Sequence, residues 1–327
     1  MRLTDPLYGE VEVQDSVLVE LIGSAPLQRL KQVSQSGIPL EVSAPYSSYS
    51  RYVHSVGVML LLRRFGAGTE EQIAGLLHDV SHTAFSHVID WVMGNHEEEN
   101  YQDSVLGEHI GRPPISEILE RHGFDVGRIS GLEVNGAFRL LERKLPDLCA
   151  DRIDYALRDM TEWLGANPRP CLDGLAVVNS EFVFKSLEPA LLFGRNYMAC
   201  QKNYWGGAEW KLRYHLLSTS LKMAMEEGII GKDDLYGRSE QEIIARIRES
   251  GTERGKRLLE LALGRVNFEV CDDGEISVSK KKRYVDPKVM DGKGMLRLSE
   301  IDASFREAIN EEKASRTEMR IRLLDRV

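Results

Sequence analysis

Three histidines and a carboxylate fall within ten residues at His78-Asp79-Val80-Ser81-His82-Thr83-Ala84-Phe85-Ser86-His87, which closes the apolar run Gln72-Ile73-Ala74-Gly75-Leu76-Leu77. Neutral imidazole and carboxylate are common ligands of zinc, iron, manganese and related ions, so the adjacent His78 and Asp79 raise metal chemistry at once. A His-Asp dipeptide is common, and the assignment needs ligands from elsewhere in the chain. His54 lies mid-helix on a face that also carries Val58 and Leu61, and Asp151 lies on a later helix. The four together offer two nitrogens and two carboxylates from three helices. Such a set suits a hard-to-borderline divalent ion and leaves coordination positions for water and substrate. A lone histidine on an apolar face is most often an ordinary core residue; the ordered set of four carries the argument.

The neighbours of these ligands are suggestive too. Arg51 precedes His54 by three residues and shares its helix face. Asp151, Tyr155 and Asp159 fall at i, i+4 and i+8, one stripe along a helix. A ligand at one end of that stripe lets a hydroxyl and a carboxylate line the adjoining pocket.

The elements that position these residues are mostly helical. Residues 1–14 read as an extended segment and turn, broken at Asp5-Pro6 and Tyr8-Gly9. Asp15 or Ser16 caps a first helix, and a second runs from about Pro26 through Val33 to Gly37 and Pro39. After a polar loop over 43–50, a helix carries Arg51 to Leu62 and stops at Gly66; Thr69-Glu70-Glu71 opens the next. Residues 96–146, polar and broken by glycine and proline, read as an insertion or lid of short helices. A helix follows from about Leu148 to Trp163. Leu175–Val178 and Glu181–Phe184 form a hairpin across Asn179-Ser180. A long helical stretch covers roughly Pro189 to Glu227 with a break at Gly206-Gly207, and two more helices reach about Leu263. Val266–Val270 and Glu275–Val278, joined across Asp272-Asp273-Gly274, read as a second hairpin. The tail from Ser299 reads as helical and charged. The expected architecture is a mostly α helical bundle over 1–264, followed by a small α/β lobe over 265–327.

Composition narrows the setting. At 327 residues, 42% hydrophobic and 28% charged, the chain has the make-up of a globular protein with a large core. Its net charge of −9 supplies no general basic field, so an anionic substrate needs a local basic pocket. Broad nucleic-acid binding is not indicated. Cys149, Cys171, Cys200 and Cys271 form no Cys-x-x-Cys pair, which fits a reducing compartment. With no signal-peptide core at Met1-Arg2-Leu3-Thr4-Asp5-Pro6 and no apolar run of membrane-spanning length, a cytoplasmic protein without membrane contact is expected.

Three stretches also carry a family resemblance. Tyr49-Ser50-Arg51-Tyr52-Val53-His54-Ser55-Val56-Gly57-Val58, the His78–His87 stretch and Asp151-Arg152-Ile153-Asp154-Tyr155-Ala156-Leu157-Arg158-Asp159 resemble, in order, three motifs of the HD-domain phosphohydrolases, in particular the deoxynucleoside triphosphate triphosphohydrolase branch. Leu27-Gln28-Arg29-Leu30-Lys31-Gln32 and Lys282-Arg283-Tyr284-Val285-Asp286-Pro287 have counterparts there as well. The resemblance implies that His54, His78, Asp79 and Asp151 hold one divalent transition metal (Fe, Mn, Zn, Ni or Co), with or without Mg. It implies that His82 and His87 face the phosphates, that Asp90 and His96 form a supporting acid/base pair, and that Tyr155 and Asp159 contact the sugar 3′-hydroxyl. Gln35 falls where relatives set a glutamine against the nucleoside, and Tyr204 matches a pocket tyrosine. Arg51 and Arg152 are the cations best suited to phosphate, because guanidinium meets phosphate oxygens bidentately.

The chain also departs from that pattern. Ser36 replaces a bulky apolar residue near the sugar 2′ position, Gly23-Ser24 an acidic residue that serves a guanine activator, and Gly206-Gly207 a His-Lys pair. A homo-oligomer is expected, but an activator-driven tetramer does not carry over. The Lys280-Lys281-Lys282-Arg283 run is either a solvated strand end or a phosphate or nucleic-acid contact. The leading function is metal-dependent hydrolysis of deoxynucleoside triphosphates to nucleoside and tripolyphosphate. The alternatives are an HD hydrolase of another nucleotide phosphoester and a non-catalytic nucleic-acid-binding or scaffold protein.

Overall fold

The computed structural model describes residues 1–39, 42, 49–94, 100–131, 137–292 and 294–327. Residues 43–48 of the polar loop and His96 lie outside the described residues.

A first core gathers around Arg51–Arg64, which packs against Thr69–Leu77 and Ala150–Leu164, with Leu187–Cys200 on the far side of the last. Ten residues of Arg51–Arg64 are buried on every side, from Arg51 to Leu62. A helix apolar all round belongs inside a bundle. Ala150–Leu164 buries charge alongside Ile153, Leu157 and Met160, with Arg152, Asp154, Arg158 and Asp159 all inside. The short helices of the insertion, Tyr101–Ile110, Ile115–Arg121 and Val126–Ser130, set Ile110, Ile115, Leu119 and Ile129 into this same core. They form a packed wall.

A second core surrounds the longest helix, Ala208–Glu226, against Val88–Met93, Glu240–Ser250 and Glu253–Leu263. The two cores meet across the loop from His78 to His87, so the ligand-bearing stretch sits at the seam.

The strands confirm one expectation and correct another. Leu175–Val178 and Glu181–Phe184 pair antiparallel, with Asn179 and Ser180 at φ 51° and 59° in the tight turn. Phe268–Val270 and Ile276–Ser279, expected to pair with each other, instead flank a third strand, Glu318–Leu323, and each pairs antiparallel with it. The tail is therefore helical only through Leu298–Ile301 and Ala303–Ala314. Beyond Ser315 its pattern has period two: Met319, Ile321 and Leu323 turn to the second core, while Arg320 and Arg322 alternate with them. Ile321 is fully buried. A further hairpin, Lys288–Met290 with Met295–Arg297, joins the first through Phe184 and Val289. Among the described residues no helix is long and apolar enough to cross a membrane.

Candidate metal centre and its cavity

Four side chains from three neighbouring elements converge at the seam. His54 Nε2 lies 2.9 Å from Asp151 Oδ1, 3.3 Å from His78 Nε2 and 3.8 Å from Asp79 Oδ2. His78 Nε2 is 3.6 Å from both Asp79 Oδ1 and Asp151 Oδ1. The outer ring nitrogens fix what these inner atoms are. His54 Nδ1 faces Asp154 Oδ2 at 2.8 Å and His78 Nδ1 faces the Gly75 carbonyl at 2.7 Å, so each donates its proton outward. Both Nε2 atoms then face each other and two carboxylates, so a proton or a cation must sit among them, and two imidazoles with two carboxylates are a donor set for a divalent transition metal. The residues fit the ion.

Electrostatics agree. Burial opposes charge on His54, yet Asp151 and Asp154 outweigh it and lift the imidazole to about 9. Burial likewise resists a charge on Asp79, but Arg51, His78 and His82 hold it well below the usual carboxylate range. Asp151 is lowered in the same way, burial being overcome by His54 and His78. Both carboxylates are thus ionised at neutral pH, and a cation has only the His54 and His78 protons to displace.

Behind His54 lies a buried network without a sequence-level assignment. Asp154 accepts from Tyr8 Oη at 2.7 Å and from Arg158 at 2.9 and 3.1 Å, and Arg158 reaches Asp5 at 2.9 Å. All four residues are buried or nearly so. Gly57, one turn beyond His54, makes room for them: a Cβ there would collide with Asp154 Oδ1 and Arg158 Nη2. A carboxylate on the far ring nitrogen fixes the tautomer and rotation of a ligand histidine. Asp154 stands three residues after Asp151 and four before Arg158, a spacing that signals such a pair in hindsight.

A cavity of about 460 Å³ opens beside the four ligands, a size within the range of small-molecule sites. Arg51, His82 and His87 line it on the side of the His78–His87 loop. Arg51 is already engaged, with Asp79 at 2.7 Å, Ser86 Oγ at 2.9 Å and the Gln35 carbonyl at 3.1 Å. His82 Nε2 faces Asp79 Oδ1 at 3.2 Å, and its buried Nδ1 has no partner among the described residues. Burial, with Arg51 nearby, holds His82 well below the ordinary histidine range and therefore neutral. Asp90, expected beside His96, is fully buried and faces His87 Nδ1 at 3.3 Å; its other oxygen accepts from the Tyr101 amide. The i, i+3 spacing of His87 and Asp90 puts them together.

Asp151, Arg152, Tyr155 and Asp159 line the cavity from the Ala150–Leu164 helix, and Gln35 and Ser36 from the opposite side. Arg152 donates to the carbonyls of Arg143 and Asp147 at 3.1 and 2.8 Å and to Glu142 at 3.4 Å. Tyr155 Oη meets Tyr197 Oη at 3.1 Å. Asp159 accepts from Tyr49 Oη at 3.0 Å and from the Trp205 indole at 2.8 Å, yet burial still pushes its carboxyl up to about 7. Tyr204 is not brought into the cavity. It stacks on Trp163 and donates to that residue's carbonyl at 3.0 Å, and Trp205 stands at the wall instead, with Trp163 and Trp210.

The offset has a local cause. Gln201–Trp205 is one π-helical turn, closed by the Gly206 amide on the Gln201 carbonyl at 2.8 Å. Such a turn inserts an extra residue and rotates the chain beyond it. Gly206 and Gly207 permit it: a Cβ on Gly207 would lie 2.5 Å from the Asn203 carbonyl oxygen, and one on Gly206 2.9 Å from Gln201 Nε2. The basic run divides: Lys280 pairs with Glu312 at 3.0 Å and Lys282 donates to the Lys313 carbonyl, whereas Arg283 lines the cavity.

Residues 51–159 match the family described as HD domain. Over 295 residues the chain is 37% identical to the uncharacterized protein YdhJ of Bacillus subtilis, covering 88% of each. It is 32% identical over 302 residues to the metal-dependent phosphohydrolase cns2 of Cordyceps militaris, covering 88% of this chain and 84% of that protein. The crystal structure of a phosphohydrolase from Bacteroides thetaiotaomicron superposes over 100% of both chains, with a TM-score of 0.73 at 17% identity, and is similar in fold.

Proposed function

Because the chain belongs to the HD-domain metal-dependent phosphohydrolases, we propose that its substrate is a nucleotide, with deoxynucleoside triphosphates, cleaved to nucleoside and tripolyphosphate, as the leading class. The observation that carries this reading is the polarity of the cavity. Asp151 and Asp159 stand at opposite ends of one helix stripe, roughly 12 Å apart at the rise of an α-helix. The ligands, His82, His87 and Arg51 gather towards one end, and Trp163, Trp205 and Trp210 form the wall at the other. A phosphoester with a flat, partly polar leaving group matches both ends, since indole and phenol rings favour stacked or edge-on aromatic partners. The likeness of the three motifs to those of the triphosphohydrolase branch supports a triphosphate.

A divalent cation held by His54, His78, Asp79 and Asp151 would activate a water nucleophile and neutralise charge on the attacked phosphate. Asp90 takes the Nδ1 side of His87 and leaves Nε2 for the proton that the departing oxygen needs. His82, neutral and tied to Asp79, orients rather than delivers charge. Arg51 aligns Asp79 and presents positive charge to the phosphates.

One observation favours a shorter phosphate. Both Asp159 oxygens already accept from Trp205 and Tyr49, and Arg51 and Arg152, two of the three arginines that line the cavity, are engaged by Asp79, Glu142 and main-chain carbonyls. A nucleoside monophosphate asks less of such a site than a triphosphate does. Incubating Mn²⁺- or Co²⁺-loaded protein with deoxynucleotides, ribonucleotides, monophosphates and cyclic nucleotides, and resolving products by chromatography, separates the two. Tripolyphosphate with free nucleoside is the expected outcome; orthophosphate from monophosphates alone installs the second reading, and no turnover of any nucleotide sinks both.

A further inference from the structure

The helix Glu240–Ser250 lies outside the stretch that matches the HD family, yet its first residue reaches the site. Glu240 is fully buried. Its Oε1 accepts three hydrogen bonds: from the Ser34 amide at 2.9 Å, the Ser34 hydroxyl at 2.7 Å and the Phe85 amide at 3.0 Å. A carboxylate out of water is retained where donors are arranged for it, so three on one oxygen mark a built feature.

What Glu240 holds is unusual. Phe85 and Ser86 adopt φ of 65° and 46°, a left-handed pair that non-glycine residues keep only under support. They form the turn between His82 and His87, whose rings stand edge to face with centroids 5.0 Å apart. The Ala84 amide donates to the Leu235 carbonyl at 2.8 Å, a second tether from the same part of the chain. From Ser86 the contacts lead inward. Its hydroxyl donates to the Ser34 carbonyl and accepts from Arg51 Nε, and Arg51 in turn holds Asp79.

We infer that Glu240 is a positioning residue of the phosphohydrolase site: by clamping Ser34 to Phe85 it sets the Phe85-Ser86 turn, and through Ser86 and Arg51 the orientation of Asp79 and the spacing of His82 and His87. Glu240 touches no reacting atom. The assignment rests on metal-dependent phosphohydrolase chemistry and is indifferent to whether the substrate is a nucleotide.

The test compares wild type with Glu240→Ala, Glu240→Gln and Ser86→Ala. Its probes are Co²⁺, followed by its visible absorption, and inorganic phosphate, titrated calorimetrically into the Co²⁺-loaded protein; thermal melts report folding. Glu240→Ala is expected to melt cooperatively, shift the Co²⁺ band and weaken phosphate binding by about tenfold, the lower end of what supporting residues of a metal site contribute. Glu240→Gln keeps a carbonyl oxygen for both amides and is expected to recover the wild-type band and an affinity within about threefold. Ser86→Ala, which breaks the same path nearer the metal, is expected to reproduce the Glu240→Ala spectrum, and decides the matter with Glu240→Gln if Glu240→Ala does not fold. A wild-type spectrum in Glu240→Ala, or in Ser86→Ala where the former is unfolded, overturns the inference. So does a Gln variant as impaired as Ala in band position and melt alike. No nucleotide turnover enters these readouts, so either result leaves the substrate proposal standing or falling on its own test.

Discussion

The two ends of the cavity are built by opposite strategies. At the metal end every group is held twice: His54 by the ligand cluster and Asp154, His78 by the cluster and Gly75, and Asp79 by Arg51 and His82. At the aromatic end the wall comes mostly from ring contacts and a single π-helical turn, with Tyr155, Tyr197 and Trp205 meeting at tilted and edge-on angles and Asp159 and the paired tyrosine hydroxyls supplying the hydrogen bonds. Hydrogen-bonded charges in a low-dielectric interior tolerate little displacement, whereas rings slide over one another at small cost. Chemistry common to a family belongs in the first kind of site, and selectivity that separates its members in the second.

That contrast can be broken by mutation, and the largest effect is expected at the metal end. Asp79→Ala removes a ligand and strands Arg51, and should lose both bound metal, measured by elemental analysis, and all turnover. An Asp79→Ala protein with undiminished turnover would refute the site. His87→Ala should keep its metal while kcat falls by about 10²-fold or more, as expected on removal of a general acid. Unchanged turnover takes His87 out of the catalytic set. Asp154→Asn touches no ligand position directly but faces His54, Tyr8 and Arg158 with an amide. Its Co²⁺ affinity, titrated spectroscopically, should fall by about 10- to 100-fold; wild-type affinity would show that the network behind His54 is dispensable.

The aromatic end should answer more quietly, and through pH. The buried Asp159 carboxyl titrates near 7, far above its value of about 4 in an unfolded chain. Between those values the folded protein keeps a proton that the unfolded chain has released, so stability falls as pH rises from about 4 to about 7 and is level above. Asp159→Asn removes that slope. Urea unfolding at pH 5 and pH 7.5 should show wild type losing about 2–3 kcal/mol more than the variant over the interval. Parallel losses in the two proteins would mean that Asp159 does not titrate there.

The metal end was legible because its information is carried by residue type and order. Histidine and aspartate have few reasons to recur on apolar helix faces, and the resemblance of three ordered motifs to the HD-domain phosphohydrolases singled out His54, His78, Asp79 and Asp151 as one set. What supports them was harder to read. Asp5 and Tyr8 lie some 150 residues from Asp154 and Arg158, and no local pattern announces a contact at that range. The same limit misassigned Phe268–Val270 and Ile276–Ser279, whose partner is the distant Glu318–Leu323 rather than each other. At the aromatic end the error was a single residue. Tyr204 was matched to a pocket tyrosine by resemblance, but the π-helical turn brings Trp205 to the wall, and period 3.6 cannot anticipate a turn of a different period. The pairing of Asp90 with His87 was missed although the two stand three residues apart, and the expected partner His96 lies outside the described residues.

The contact between the amino-terminal residues and Asp154, which faces His54, has a consequence for how the protein senses its own ion. Tyr8 and Asp5 dock through Asp154 and Arg158, and the Leu7 and Tyr8 amides donate to Asp5 in turn. Whatever free energy the ion gains from a His54 held by this network, the network must gain from the ion, because linkage is reciprocal. Those two amides should therefore exchange with deuterium more slowly once metal is bound. The first residues of the chain become a reporter of metal occupancy that can be read without substrate.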